Sequence, residues 1–113
     1  MHELSIMHSA LQQALTEAER AGAVRVHEIR LRVGALSGVV PEALQFAFEA
    51  LSSGTPAENA RLTIESVPAR FWCRSCSSEF EPFGLLPECP SCRTPSRELL
   101  AGRELELASM EVD

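Results

Sequence analysis

The residues with the clearest chemistry in this sequence are four cysteines arranged in two pairs. The pairs read CRSC and CPSC, and they contain Cys73, Cys76, Cys89 and Cys92. A C-x-x-C pair directs both sulfurs toward one point, so two pairs can supply the four thiolates of a tetrahedral zinc site. Protein ligands would fill all four positions, which favours a structural zinc ion over a catalytic one.

Disulfide bonding and redox chemistry are the alternative uses of these cysteines. No signal peptide is recognisable at the start of the chain, so we expect a cytoplasmic protein, in which disulfides are rare. A single C-x-x-C pair is typical of redox proteins, whereas two matched pairs favour a metal. The chain around the cysteines is poor in periodic apolar residues, and a bound metal would supply folding free energy there.

A second candidate site lies at the N-terminus, where His2 follows Met1. The amine of Met1, the backbone nitrogen of His2 and its imidazole are adjacent through covalent bonds, and together they can close two chelate rings around one metal ion. Such a plane of nitrogen ligands suits Ni(II) or Cu(II) better than zinc. The fourth ligand stays open between the backbone amide of Glu3 and a group from another molecule. One histidine is a weak signal by itself, so the residue types alone leave an ordinary helix position as the alternative.

The composition excludes several other classes of function. The formal net charge of −6 disfavours a general nucleic-acid binder, because phosphate contacts require excess basic charge. All ten basic residues are arginines, so a lysine-dependent phosphate loop and a lysine Schiff base are both excluded. No apolar run reaches the roughly 20 residues of a membrane span, so we expect no contact with a membrane.

Two helices and three strands are predicted to position these sites. Apolar residues at steps of three and four predict one helix from Leu4 to Arg20 and a second that begins at Pro41. The strands are predicted in VRVHEIRLRVGAL, ARLTIESV and GRELELASMEV, where apolar and polar residues alternate. The alternation slips by one residue near His27 and again near Ala108, which predicts two β-bulges.

The first predicted helix has an apolar stripe that would face the core. The members of this stripe are Leu4, Met7, Leu11, Ala14, Leu15 and Ala18. His8 lies in the same helix outside the stripe, and His27 lies at the predicted bulge. We therefore expect structural or solvent-exposed roles for these two histidines.

The simplest architecture is of the α+β class, with a three-stranded sheet and two helices on one face of it. A zinc-ribbon-like module that carries the four cysteines is predicted to be inserted between the second and third strands. The domain prediction places residues 1–70 and 98–113 in the α+β domain and residues 71–97 in the cysteine module.

Several stretches of the chain together resemble the HypA/HybF family, which comprises nickel-insertion accessory proteins for the maturation of nickel–iron hydrogenase. The stretches are MHELSIMHSAL, VGALSGVVPEALQFAFEAL, GTPAENARLTIESVPARFWC, the two cysteine pairs and GRELELASMEVD. The resemblance covers essentially the full length of the chain.

The resemblance implies a metallochaperone and not an enzyme. It implies a nickel site around His2, with the Met1 amine and with Glu3 as a further candidate, and a structural zinc site at the four cysteines. It also implies delivery of nickel to the hydrogenase large subunit, a GTPase accessory protein as partner, and a role for some relatives in urease maturation. The alternative function is a zinc-ribbon protein-interaction module without nickel transfer.

Overall fold

The computed structural model describes residues 2–84 and 86–113, so Met1 lies outside the described residues. In chain order, the elements are α1 (Glu3–Arg20), β1 (Val26–Gly34), α2 (Pro41–Ser52), β2 (Arg61–Val67), β3 (Arg70–Cys73), β4 (Ser78–Phe80), β5 (Glu98–Ala101) and β6 (Leu105–Val112). The strands form two separate three-stranded sheets.

The first sheet and the two helices form what we call the first lobe. Its strand order is β2-β1-β6, with β1 parallel to β2 and antiparallel to β6. Both helices pack on the same core, in which Met7, Leu11, Ile29 and Leu44 are almost completely buried. This arrangement confirms the predicted α+β class with two helices and a three-stranded sheet.

α1 begins one residue earlier than predicted, and its buried face differs from the predicted stripe at one position. Leu4 is 57% exposed, so its predicted place in the core is wrong. The buried face begins instead with Glu3, four residues before Met7 and eight before Leu11. Steps of four place these side chains on one side of a helix, whereas Leu4 is rotated about 100° from Glu3.

The central strand β1 and the edge strand β6 are paired with two irregularities. The pairing leaves His27 without a counterpart on β6, and it leaves Ala108 without a counterpart on β1. Both β-bulges are therefore confirmed at the positions where the apolar alternation slips.

The second sheet, with strand order β4-β3-β5, lies between β2 and β6 in the sequence. We call this region, from Arg70 to Ala101, the second lobe; it contains all four cysteines. Its insertion between the second and third strands of the first sheet agrees with the predicted architecture. The domain limits at residues 71 and 97 remain a prediction, because strand pairing does not measure whether a segment folds independently.

Glycines allow close backbone contact where the chain passes between the lobes. A Cβ atom on Gly34 would lie 2.1 Å from the carbonyl oxygen of Gly102, and one on Gly102 would lie 2.8 Å from the Cα atom of Ala69. Gly102 also has a positive φ of 126°, which other residues rarely adopt. The Leu36 N–H donates to the Gly102 carbonyl at 2.7 Å, so the junction is a direct backbone contact.

Candidate metal sites

The four cysteines converge at one end of the second sheet. Cys73 is the last residue of β3, and the other three lie in the turns that surround the sheet. All four sulfurs lie within 4.8 Å of one another. Cys73 and Cys89 are buried, whereas Cys76 and Cys92 are exposed. The structure thus brings together the four cysteines that the sequence spacing grouped.

The spacing of the sulfurs fits a tetrahedral metal ion. The Sγ atoms of Cys73 and Cys92 are 3.6 Å apart, and those of Cys76 and Cys89 are 3.9 Å apart. A tetrahedron with zinc–sulfur bonds of about 2.3 Å has edges of about 3.8 Å. Both distances are also far longer than a disulfide bond, so the four cysteines are free thiols in this structure.

A left-handed residue follows the second cysteine of each pair. Ser77 has a φ of 51° and Arg93 has a φ of 66°. In the second pair, the Arg93 N–H donates to the Cys89 carbonyl at 2.7 Å, and the Cys89 N–H donates to the Thr94 carbonyl at 3.0 Å. The positive φ at these two positions could not be predicted from the sequence, because neither is a glycine, the residue type that usually marks such a backbone.

The thiols strongly influence one another's ionisation. Hydrogen bonds from the side chain and backbone of Thr94 lower the pKa of Cys92 to about 6. Hydrogen bonding to Cys92, Cys89 and Cys73 raises the pKa of Cys76 to about 12. Cys92 therefore ionises readily while Cys76 keeps its proton, and a divalent cation would allow all four thiols to ionise together.

The second lobe has a small apolar core beside the cysteines. Phe80 is buried with Cys73 and Cys89, and Phe71 stacks on Phe80 with 5.9 Å between the ring centroids. The Ser96 hydroxyl, also buried, donates to the Trp72 carbonyl and so links the two segments of chain that carry the cysteines. Nothing in the spacing of the sequence identified Ser96, because its partner is a backbone atom distant in the chain.

At the other candidate site, His2 is the residue that caps the start of α1. It is exposed, and its carbonyl accepts the Ile6 N–H at 2.9 Å and the Ser5 hydroxyl at 3.1 Å. The carbonyl side of His2 is therefore fixed in the first helical turn. The predicted amine ligand belongs to Met1 and lies outside the described residues.

Glu3, the further candidate at this site, is buried next to the start of α2. The Val40 N–H donates to Oε2 of Glu3 at 3.0 Å. The pKa of Glu3 is lowered to about 2. Hydrogen bonding with the amino terminus is the largest cause, and the hydrogen bond from the Val40 N–H is the second. The carboxylate is thus ionised and hydrogen-bonded inside the protein, which is the condition that a buried charge requires.

His8 and His27 lie apart from both candidate sites. His8 is exposed on α1, and Nε2 of His27 lies 2.5 Å from Oδ1 of Asp113 at the other end of the sheet. Within residues 2–84 and 86–113, the four cysteines are the only cluster of three or more histidine, cysteine or carboxylate side chains close enough to share an ion. In the same residues, neither helix is long and apolar enough to cross a membrane.

The structure defines a small metal-binding protein of two lobes. One is an α+β lobe with an exposed histidine at the start of its first helix, and the other contains the four cysteines. Sequence comparison identifies the family. Residues 1–112 match the family model described as "Hydrogenase/urease nickel incorporation, metallochaperone, hypA". The chain belongs to the HypA family, which is a family of metallochaperones and not of enzymes. The resemblance stated from the sequence is confirmed.

Individual relatives match over their full lengths. The chain is 48% identical to hydrogenase maturation factor HypA of Picosynechococcus sp., covering 99% of both chains. It is 44% identical to the protein of the same name from Chloroflexus aggregans, covering 98% of both. Among solved structures, the Ni metallochaperone HypA from Helicobacter pylori has the same fold, with a TM-score of 0.66, 23% identity and coverage of 99% of this chain and 97% of that one.

Proposed function

We propose that this protein binds Ni(II) at its N-terminus and delivers it to the large subunit of nickel–iron hydrogenase during maturation of that enzyme. The observation that carries the proposal is the match to a nickel-incorporation family over residues 1–112. The full-length relatives named as hydrogenase maturation factors favour hydrogenase as the recipient.

The ligands that we propose for nickel are the imidazole and backbone nitrogen of His2 and the amine of Met1. The position of His2 supports this, because an exposed residue at the start of a helix is accessible both to an incoming ion and to an acceptor protein. Three nitrogens in a plane suit Ni(II). The remaining position is open to the backbone of Glu3 or to a ligand from the acceptor, and exchange of that ligand would begin the transfer.

For the second lobe we propose one structural zinc ion at Cys73, Cys76, Cys89 and Cys92. The tetrahedral spacing of the sulfurs and the small apolar core of the lobe support this assignment. Zinc would supply the positive charge that permits four thiolates to lie together. It would also supply folding free energy that the small core of the lobe does not provide.

The partners that we propose follow from the same family membership. They are a GTPase accessory protein of hydrogenase maturation and the hydrogenase large subunit, in a cytoplasmic complex. Urease maturation proteins are further candidates, because the family description includes urease.

A nickel titration of the zinc-loaded protein tests the nickel site. We expect the native protein to bind one equivalent, and we expect both His2→Ala and a protein extended by a few residues before Met1 to lose that binding with unchanged zinc content. His8→Ala is the matched control, because His8 is exposed on the same helix and should not affect nickel. Native affinity in His2→Ala would contradict the assigned site.

Delivery is tested by mixing nickel-loaded protein with the purified nickel-free large subunit and the GTPase. We expect the large subunit to gain nickel from the native protein and not from His2→Ala treated in the same way. Equal gain from the two proteins would show that nickel reaches the enzyme without this site.

The second candidate function is a protein-interaction module without nickel transfer. The observation that favours it is an apolar surface on the second lobe, where Phe83 is 81% exposed and Leu86 is 66% exposed. Absence of specific nickel binding by the native protein in the titration would leave this function as the better one.

A further inference from the structure

The formal charge of this protein is concentrated in the first lobe. The second lobe, from Arg70 to Ala101, contains four arginines and four glutamates, so apart from its cysteines it has no formal net charge. The charge of −6 that the whole chain carries therefore belongs to the first lobe. A surface of that lobe on which acidic residues lack basic partners would attract a positively charged molecule.

On the face of the first sheet that points away from the core, acidic residues are matched by arginines. Arg32, on the central strand, contacts Glu65 on β2 and Glu106 on β6, with N–O distances of 3.5 and 2.9 Å. Arg61 contacts Glu28 at 3.4 Å in the same way. Uncompensated negative charge has to be sought on another surface of the lobe.

The second helix presents such a surface. α2 contains no arginine or lysine, and Glu42 and Glu49 are exposed on it. Neither carboxylate forms an ion pair with any residue in the part of the chain that the structure describes. Glu49 also lies in the last turn of α2, where the negative end of the helix dipole disfavours a carboxylate. Stability of the helix therefore does not explain this residue.

An aromatic side chain lies between these two carboxylates. Phe46 is 77% exposed, and steps of four and three residues place it on the same side of the helix as Glu42 and Glu49. A phenylalanine in this position adds little buried area to the fold, and it is a weaker helix former than leucine. Interfaces between proteins typically combine an aromatic residue at the centre with charged residues at the rim.

The same surface extends to the start of the first helix. Val40, the residue before α2, is 51% exposed and lies about 9 Å along the helix axis from Phe46. Its N–H donates to Glu3, which follows His2 in the chain. Leu4, at the same end of the helix pair, is 57% exposed. A molecule seated on this surface would therefore lie beside the proposed nickel ligand.

The α2 face is the name that we give to this surface, which consists of Val40, Glu42, Phe46 and Glu49. We propose that the α2 face docks the nickel acceptor, through an apolar pocket of the acceptor that is rimmed by lysine or arginine side chains. The proposal rests on the proposed function, in which the acceptor is the hydrogenase large subunit. Charge complementarity calls for the basic rim, and Phe46 would fill the pocket. Docking there brings the acceptor to His2, where the exchange of ligands begins.

The proposal is tested by measuring the affinity of the zinc-loaded protein for the purified nickel-free large subunit, by calorimetric titration at low and at high salt. Phe46→Ala removes the aromatic anchor. The double variant Glu42→Gln/Glu49→Gln removes the two charges and keeps the size of the side chains. Nickel affinity, nickel transfer and melting temperature are measured for the same proteins.

Each variant has a matched control elsewhere on the chain. Phe83→Ala removes a phenylalanine of the second lobe that is 81% exposed. The double variant Glu19→Gln/Glu111→Gln removes two exposed acidic residues that belong to α1 and β6. It changes the net charge by the same amount as the variant on α2, so it separates a local effect from a general one.

We expect Phe46→Ala to weaken binding of the large subunit by at least roughly thirtyfold, the loss typical of a central aromatic residue. The double variant on α2 should weaken it roughly tenfold at low salt and less than about threefold at high salt, because salt screens exposed charges. Both controls should stay within about twofold of native affinity. Every variant should keep the native nickel affinity and melting temperature, since the side chains are exposed and are not proposed ligands. Nickel transfer from Phe46→Ala should fall, and it should recover at higher protein concentration.

Several results would overturn the proposal. Native affinity of Phe46→Ala for the large subunit would do so, and a loss in Phe83→Ala instead would place the acceptor on the second lobe. Loss of GTPase binding or of self-association in Phe46→Ala, with normal binding of the large subunit, would assign the α2 face to a different partner.

Failure of the proposal and failure of the proposed function give different results. A native protein that binds no nickel, or that transfers none to the large subunit, would overturn the proposed function and this proposal with it. A native protein that binds and transfers nickel, but no better than Phe46→Ala does at low concentration, would overturn the docking proposal alone.

Discussion

Removal of zinc is expected to unfold the second lobe while the first lobe stays folded. The buried apolar core of the second lobe consists of Phe80 with Cys73 and Cys89, and Phe71 packs against it. Burial of Phe80 contributes roughly 2 kcal/mol, and the partly buried Phe71 contributes less. A structural zinc ion contributes about 10–16 kcal/mol in small zinc-binding peptides. A zinc ion at the proposed site would therefore be the dominant stabilising term in this lobe, whereas the first lobe has its own core.

The chain contains its own reporter for this experiment. Trp72 is the single tryptophan and lies in β3, beside Cys73. Zinc is removed with a chelator at neutral pH in the presence of a reductant, and tryptophan fluorescence and far-ultraviolet circular dichroism are followed together. We expect the emission of Trp72 to shift to longer wavelength, and the helical signal of α1 and α2 to remain.

The zinc experiment can fail in two recognisable ways. Unchanged Trp72 emission after the zinc content has fallen to zero would mean that the lobe folds without metal. Simultaneous loss of the helical signal would mean that the two lobes unfold as one unit. Cys73→Ser should reproduce the spectrum of the chelated protein, and Ser75→Ala, within the same C-x-x-C pair, should retain zinc and the native spectrum.

Two further predictions concern the first lobe and its junction. Gly102→Ala should lower the free energy of unfolding, measured by urea titration, by about 2–4 kcal/mol, because the added Cβ atom would contact the backbone and the φ of this residue is positive. Gly84→Ala is the control, because the space around Gly84 is open, and it should change the free energy of unfolding by less than about 0.5 kcal/mol. The Thr63 hydroxyl, followed by Arg61 and Arg30, lowers the pKa of Glu28 from its ordinary value. This carboxylate therefore stabilises the fold above its ordinary pKa, and the effect is lost as pH falls through the lowered pKa. Thr63→Val should therefore destabilise the protein at pH 7, and its difference from native should shrink in unfolding titrations at progressively lower pH; a constant difference would contradict this.

Local patterns predicted much of the fold because local chemistry determined it. The parity of apolar residues placed both β-bulges, at His27 and Ala108, since a strand with one buried face cannot slip without exposing its core residues. The C-x-x-C spacing predicted a cluster of four sulfurs, since two intervening residues bring a pair of cysteines to one point.

Features that depend on a distant partner were not predicted. Leu4 and Glu3 are both compatible with a helix, and only the Val40 N–H, 37 positions from Glu3, makes burial of the carboxylate favourable. The left-handed backbone at Ser77 and Arg93 follows from the geometry of the cysteine turns and not from the residue types. The nickel ligands at Met1 and His2 stay a prediction, which the titration is designed to test.

The loop from residue 35 to residue 40 is attached at both of its ends. Near its beginning the Leu36 N–H donates to Gly102 at the junction of the lobes, and at its end the Val40 N–H donates to Glu3. Surface loops usually tolerate insertions well. An extra residue here would add roughly 3.5 Å of chain between two fixed points, so the loop would have to bulge outward or give up one of the two contacts. Loop length, more than loop sequence, is therefore the property that selection should keep constant in this segment, and natural variation should appear there as substitutions and not as insertions.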